Sequence, residues 1–180
     1  MKMFIKSVAV TAMVLLPAVA FAQKVNVDFD PAADFSKFKT YAWVDGTPSP
    51  NPLGEQRIHD EVDKRMDAAG FTKAATNPNV AIATHLVTKE EKEVITTGYG
   101  YGGGYYRYGG GMGTTTSQVN SYTTGTLVLD IYDAATKKLA WRGTGTDTAS
   151  DKADKNAKKV QKALDKMFKQ YPPAKPKEKP

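Results

Sequence analysis

Two histidines, His59 and His85, and no cysteine are the only classical bases and nucleophile partners among the 180 residues. A serine or cysteine nucleophile needs a histidine in hydrogen-bond reach and a carboxylate to orient it. The chain has no G-x-S-x-G. His85 falls in the alternating run Val80 to Thr88 and reads as a strand residue without catalytic partners, while His59 lies beside a helical apolar stripe and reads as a partly exposed, unliganded imidazole. Zinc would need three or four clustered ligands, which two distant histidines do not supply. Asp28, Asp30 and Asp34 have a spacing that invites calcium, but the loop lacks the Gly and closing Glu of an EF-hand and Pro31 interrupts it, so turn and cap roles are expected. The remaining route to catalysis is a pair of carboxylates in a cleft, which a sequence cannot place. No catalytic residue, metal ligand or cofactor-binding residue is assigned.

Gly98 to Gly113, GYGYGGGYYRYGGGMG, holds nine Gly and five Tyr in sixteen residues. Gly98, Gly100 and Gly103 match G-x-G-x-x-G in form, yet no helix follows and no βαβ unit surrounds them, so the dinucleotide reading fails on context. The composition buries too little aliphatic surface to offset its ordering entropy, and a mobile tip is expected. Tyr99, Tyr101, Tyr105, Tyr106 and Tyr108 could stack on sugar or apolar surfaces, and Arg107 could pair with phosphate or carboxylate; these six are the candidate ligand contacts. The competing reading is a solvated insertion with no partner.

The element that must hold any site is Gly125 to Asp147. Leu127, Leu129 and Ile131 alternate with polar neighbours, as do Leu139 and Trp141, around a polar turn at Asp133 to Lys137. This predicts a hairpin with one apolar face, which is marginal alone and needs a partner layer. Two amphipathic helices supply it. Asn51 and Pro52 start the first as cap and first residue; Ile58, Val62, Met66 and Ala69 form its stripe, and Gly70 ends it with Phe71 packing back on Met66. The second follows a capping box at Thr148 to Asp151, with Ala153, Ala157, Val160, Leu164, Met167, Phe168 and Tyr171 on its apolar side and a basic outer face. Pro172 and Pro173 end it, and residues 172–180 read as a disordered Pro/Lys tail.

Val25 to Phe29 and Thr40 to Val44 read as two further strands, with a connector or single helical turn at Asp34 to Phe38. Val80 to Thr97 contains no Gly or Pro, so its strand is expected to run past the core as a solvated ribbon, paired with Thr114 to Thr124. Trp43 and Trp141 both sit on alternating strands and read as core or core-edge aromatics. The expected fold is α+β and two-layer: a mostly antiparallel sheet of five to six strands, two helices on one face and a projecting β-ribbon.

Met1 to Ala22 has the pattern of a cleaved signal peptide: Lys2 and Lys6, an apolar core from Val8 to Ala20, and Ala20-Phe21-Ala22 before Gln23. The expected product is a periplasmic or secreted single domain over 23–171, with no transmembrane segment after cleavage. The formal charge of +6 falls to +4 when Lys2 and Lys6 are removed, a mild excess that does not suggest nucleic acid as a partner.

With both ends in view, the chain resembles the bacterial envelope proteins of domain-of-unknown-function family 4136. The residues that carry the resemblance are Asp28-Phe29-Asp30 through Asp34-Phe35, Lys39 to Trp43, the Gly-ended helix at Glu55 to Gly70, Gly125 to Leu127 with Asp130 and Asp133, Leu139 to Gly143, and Tyr171 to Pro173. The resemblance implies a small exported domain, often a lipoprotein, with no settled activity. This chain departs from it in lacking a lipid-bearing cysteine, and the Gly/Tyr stretch reads as an insertion. The expectation is a non-enzymatic envelope module that binds a glycan, a lipid surface or a protein through the open sheet face or ribbon tip; the rival is a hydrolase with dispersed carboxylates. A flat aromatic sheet face would favour the binder, and a pocket with two carboxylates within about 10 Å the hydrolase.

Overall fold

The computed structural model describes residues 23–49, 51–99 and 114–174. Among them a six-stranded sheet has the order β1-β6-β5-β4-β2-β3, formed by β1 (Lys24–Phe29), β2 (Thr40–Trp43), β3 (Thr72–Lys73), β4 (Val80–Tyr99), β5 (Thr114–Asp133) and β6 (Leu139–Thr148). β4, β5, β6 and β1 are antiparallel in succession, while β2 runs parallel to both β4 and β3. The helices are α1 (Pro52–Ala68) and α2 (Ala153–Phe168). The expected α+β architecture is therefore present, with a mixed, mostly antiparallel sheet.

Both helices rest on one sheet face, because the buried stripes Ile58, Val62, Met66 and Ala163, Leu164, Met167 join a single core with Ile82, Leu127, Leu129, Ile131 and Trp141. Local chemistry sets the helix ends. Asn51 Oδ1 accepts the Gly54 N–H at 3.0 Å, Pro52 stands at the first helical position, and Gly70 takes φ +84° to let Phe71 N–H bond back to the Met66 carbonyl. The hairpin turn also follows the sequence: Asp133 Oδ1 accepts the N–H groups of Ala135 and Thr136.

Four expectations need correction. Leu139 does not share the face of Trp141: the register slips between Ile131 and Tyr132, so Tyr132 pairs with Leu139, and Ala140 becomes the buried bulge residue. The capping box of α2 does not form; the side-chain amide of Asn156 instead clamps the backbone N–H and C=O of Ser150. Ala69 and Ala153 lie exposed at helix ends, where the stripes leave the sheet. β3 is a strand that the sequence reading lacked, two residues long and without an apolar pattern.

Residue sizes decide how closely the layers approach. On β6, Gly143 and Gly145 lie beneath α2, and a Cβ at Gly145 would stand 2.9 Å from both Ala163 Cβ and Met167 Cε. One end of the space between helices and sheet is filled by rings: Trp141 and Tyr171 at 5.6 Å, Phe35 and Phe38 at 5.6 Å, Phe35 and Tyr171 at 5.9 Å. The opposite end, nearer the ribbon, carries Gly125, Gly145, Ala157 and Ala163 instead.

Candidate functional site

That open end is a cleft of about 250 Å³, walled by the N-terminal halves of α1 and α2 and floored by the sheet. Ile58, Leu86, Leu127, Val160 and Ala163 give it an apolar interior, and Arg57, Glu61, Asp147 and Lys159 stand among its lining residues as charges of both signs. Its volume is slightly below that of ordinary small-molecule sites, enough for one short aliphatic or aromatic group. Glu61, Asp147 and Lys159 are fixed by partners, while Arg57 is exposed. Lys159 Nζ bonds Asp147 Oδ1 at 3.0 Å and the Thr148 carbonyl at 2.6 Å. Glu61 accepts from Arg65 Nη1 at 2.7 Å and from Lys64 at 2.8 Å. Arg65 first, then Lys64, hold the Glu61 carboxyl down at about 2.

Two carboxylates, Glu61 and Asp147, thus line the pocket, and a hydrolase would have to use them. Their chemistry argues the other way. A paired-acid mechanism needs one carboxyl held protonated near neutrality. Glu61 is shifted in the opposite direction, and Asp147 is ion-paired to Lys159.

A second constellation occupies the sheet face that the helices do not cover. Asp130, with 0% exposure, receives Arg142 Nε at 2.6 Å and Nη2 at 2.7 Å, and the Tyr132 hydroxyl at 3.1 Å. His85 Nε2 lies 3.5 Å from Asp130 Oδ2. On its other side, His85 Nδ1 accepts the Thr47 N–H at 3.0 Å and stands 2.8 Å from the Thr47 hydroxyl. Hydroxyl, imidazole and carboxylate are therefore in line, as a nucleophilic triad would require. The array lacks the free lone pair that such a base needs: the Thr47 N–H occupies Nδ1, and the Asp130 charge is already matched by a bidentate guanidinium. It works as a clamp that ties the segment after β2 to β4. Hydrogen bonding to Asp130 raises the Arg142 pKa further, so that cation is permanent.

The helix side has a smaller hub. Asp63 Oδ1 accepts from the Tyr41 hydroxyl and from Trp43 Nε1, both at 2.8 Å, and Lys73 Nζ reaches Oδ2 at 2.9 Å. Burial pushes the Asp63 carboxyl up, but the bonds from Lys73, Tyr41 and Trp43 together outweigh it and leave the group below its usual value. His59 stacks on Trp43 with centroids 4.0 Å apart and pairs with Thr84 Oγ1 at 3.1 Å, so this half-buried imidazole belongs to packing. Trp141 is fully buried, as a core aromatic should be.

Of the six candidate contacts, Tyr99 closes β4 opposite Thr114. Tyr101, Tyr105, Tyr106, Arg107 and Tyr108 lie outside the described residues, as do the signal segment and residues 175–180. Asp30 and Asp34 take the turn and cap roles expected of them, accepting the N–H groups of Ala32 and Ser36, whereas Asp28 lies within β1 and accepts the N–H of Phe29. The open sheet face is polar: Asp28, Arg142 and Asp130 form one cross-strand row, and Asn26, Thr144, Val128 and His85 form the next. The flat aromatic face set out as the mark of a binder is absent among the described residues, since the clustered rings pack on the helix side. The cleft itself was invisible in the sequence; its one signal was the set of small residues at 125, 145, 153, 157 and 163.

Comparison with known proteins adds the following. A family model described as "Domain of unknown function (DUF4136)" matches residues 25–173. No curated protein matches the chain. Among solved structures, a PDZ domain protein from Parabacteroides distasonis is similar at 18% identity with a TM-score of 0.57, over 86% of this chain and 37% of that one. The chain thus spans little more than a third of that protein, and the likeness is one of fold. A PelC dodecamer from Paraburkholderia phytofirmans is similar at 13% identity over 82% of this chain and 99% of that one, with a TM-score of 0.47, too loose for inference.

Proposed function

This chain belongs to the DUF4136 family, and from that membership we propose that it is an exported, non-enzymatic module of the bacterial cell envelope that takes an apolar group of an envelope component into its interhelical cleft. The observation that carries this reading is the cleft's construction: an apolar interior kept open by glycine and alanine, with paired charges among its lining residues. Burying one short apolar group there removes hydrocarbon from water at about 25 cal/mol per Å², and the fixed charges can orient a polar remainder. The depressed carboxyl of Glu61 and the contact of Asp147 with Lys159 support binding over acid catalysis. The basic, apolar and small-residue pattern of Met1 to Ala22 supports export. Among the described residues no helix is long and apolar enough to cross a membrane.

The test is recovery of partners from an envelope extract by three forms of the protein: the unaltered chain, Ala157→Phe, and a deletion of residues 98–113. Ala157 is half-buried and lines the cleft, so a phenyl ring there occupies the space without touching the filled end of the core. Loss of a partner by Ala157→Phe and its retention by the deletion supports the cleft. The reverse pattern assigns binding to the Gly/Tyr stretch, and equal recovery by all three forms rejects both.

A further inference from the structure

We propose that the projecting half of β4 is a pairing edge for a second copy of this chain, the two ribbons joining antiparallel about a twofold axis at Glu91. The directions of the backbone groups permit it. The Ile82 carbonyl points away from β5, to the N–H of Val44, and the register of β4 with β5 runs without a slip from Val80 to Tyr99. Alternation along an antiparallel ladder turns the N–H and C=O groups of Thr88, Glu90, Lys92 and Val94 to that same outer side. β2 covers this edge at Val80 to Ile82 and Thr47 bridges to it at His85; among the described residues nothing pairs with it further out. A two-stranded ribbon is marginal in water, and this one exposes Val87, Val94 and Ile95.

The side chains of that edge complement themselves. With Glu91 on the axis, Val87 faces Ile95 of the second copy, Lys89 faces Glu93, and Glu90 faces Lys92, each pair occurring twice. The hydrogen-bonding pairs are then Glu90 with Lys92 and Thr88 with Val94, all residues whose backbone groups point outward. Shifting the axis to Glu90 sets Val87 against Glu93, and shifting it to Lys92 sets Glu91 against Glu93 and Lys89 against Ile95. Of these three registers only the one at Glu91 sets Lys89, Glu90, Lys92 and Glu93 all against opposite charges and Val87 against Ile95, with Val94 facing Thr88. The one like-charged pair is Glu91 with itself, and each Glu91 has its own Tyr122 hydroxyl at 3.1 Å and Lys89 Nζ at 3.6 Å. An edge protected against its own copy presents like charges to it; this one alternates them. The seam ends at Val87, since Thr47 already holds the edge at His85, and the ribbons splay apart from there.

Sedimentation of the purified protein across the micromolar range tests the proposal, with a dimer expected. K89E/K92E sets acid against acid in four cross-seam pairs and should weaken self-association by roughly 30-fold or more. The quadruple variant K89E/E90K/K92E/E93K inverts every pair at unchanged net charge and should restore it. The chain has no cysteine, so E91C places a single thiol at the axis, in a non-hydrogen-bonded pair close enough for a disulfide. Oxidation should cross-link E91C, and E93C, facing Lys89, should stay uncross-linked. A monomer at every concentration, a dimer indifferent to K89E/K92E, or equal cross-linking of E91C and E93C would overturn the proposal.

Discussion

The two ends of the space between helices and sheet are built on the same strands yet resolve differently. At one end Trp141, Phe168, Tyr171, Phe35 and Phe38 fill it with edge-to-face and tilted rings. At the other, some four residues further along β6 and about two turns earlier on α2, Gly145, Ala157 and Ala163 leave it open. Backbone geometry is continuous across both ends, so side-chain volume alone decides where this fold is a core and where it is a site. The filled end should therefore be intolerant of change in either direction, and the open end tolerant.

The largest expected effect is at the filled end. Trp141→Ala removes a fully buried indole packed against the rings of Phe168 and Tyr171, and a loss of about 3–5 kcal/mol in urea-induced unfolding is expected. Overfilling the same end should cost somewhat less. A Cβ at Gly143 would lie 2.7 Å from Trp141 Cη2 and 2.8 Å from Met167 Sδ, so Gly143→Ala should destabilise by about 1–3 kcal/mol. By contrast Ala157→Phe, a far larger addition, should change stability by less than about 0.5 kcal/mol because it enters the cleft. A comparable cost at both positions would show that the cleft is not open space in solution.

The filled end was the more legible of the two. Period-two alternation through Leu129 and Ile131 and three- and four-residue spacing through Leu164 to Tyr171 are hydrophobic signals, and burial follows them directly. The cap at Asn51, the stop at Gly70 and the unbroken run from Val80 to Thr97 were equally readable, because each rests on one residue's backbone preference. What stayed hidden depends on pairings between distant positions. Asp130 carries no local signal of its role, because Arg142, Tyr132 and His85 converge on it only once β4, β5 and β6 are in register. Gly143 and Gly145 carry no hydrophobic signal and prove to be where α2 comes close. The bulge at Ala140 obeys no local signal, so Leu139 was assigned to the wrong face.

Removing the carboxylate of Asp63 is a smaller perturbation than either core change. Asp63→Asn keeps an acceptor for Tyr41 and Trp43 but gives up the charge that Lys73 meets; a cost of about 1–2 kcal/mol is expected, measured by the same unfolding curves. Because Asp63 lies on α1 but does not line the cleft, ligand recovery should be unaffected.

The smallest effect concerns the wall of the cleft and is seen only against pH. Glu61 has its carboxyl depressed from 4.5 to about 2 by Arg65 and Lys64. A group depressed in the folded state binds fewer protons there than in the unfolded chain, so stability rises with pH across that interval. Its contribution is complete above the unfolded value and is lost as pH falls through the folded one. Glu61→Gln should therefore flatten the acid limb of the stability curve between about pH 5 and pH 2, leaving its slope above pH 6 unchanged. The pairing with Arg65 also bridges the helices, since Arg65 bonds Asp165 at 2.7 Å, so the acid limb reports on a contact that ties together the two helices that wall the cleft. If protonating Glu61 loosens that contact, binding in the cleft should weaken over the same pH interval in the unaltered chain and lose that dependence in Glu61→Gln; a binding curve flat in both would detach the cleft from its charged wall.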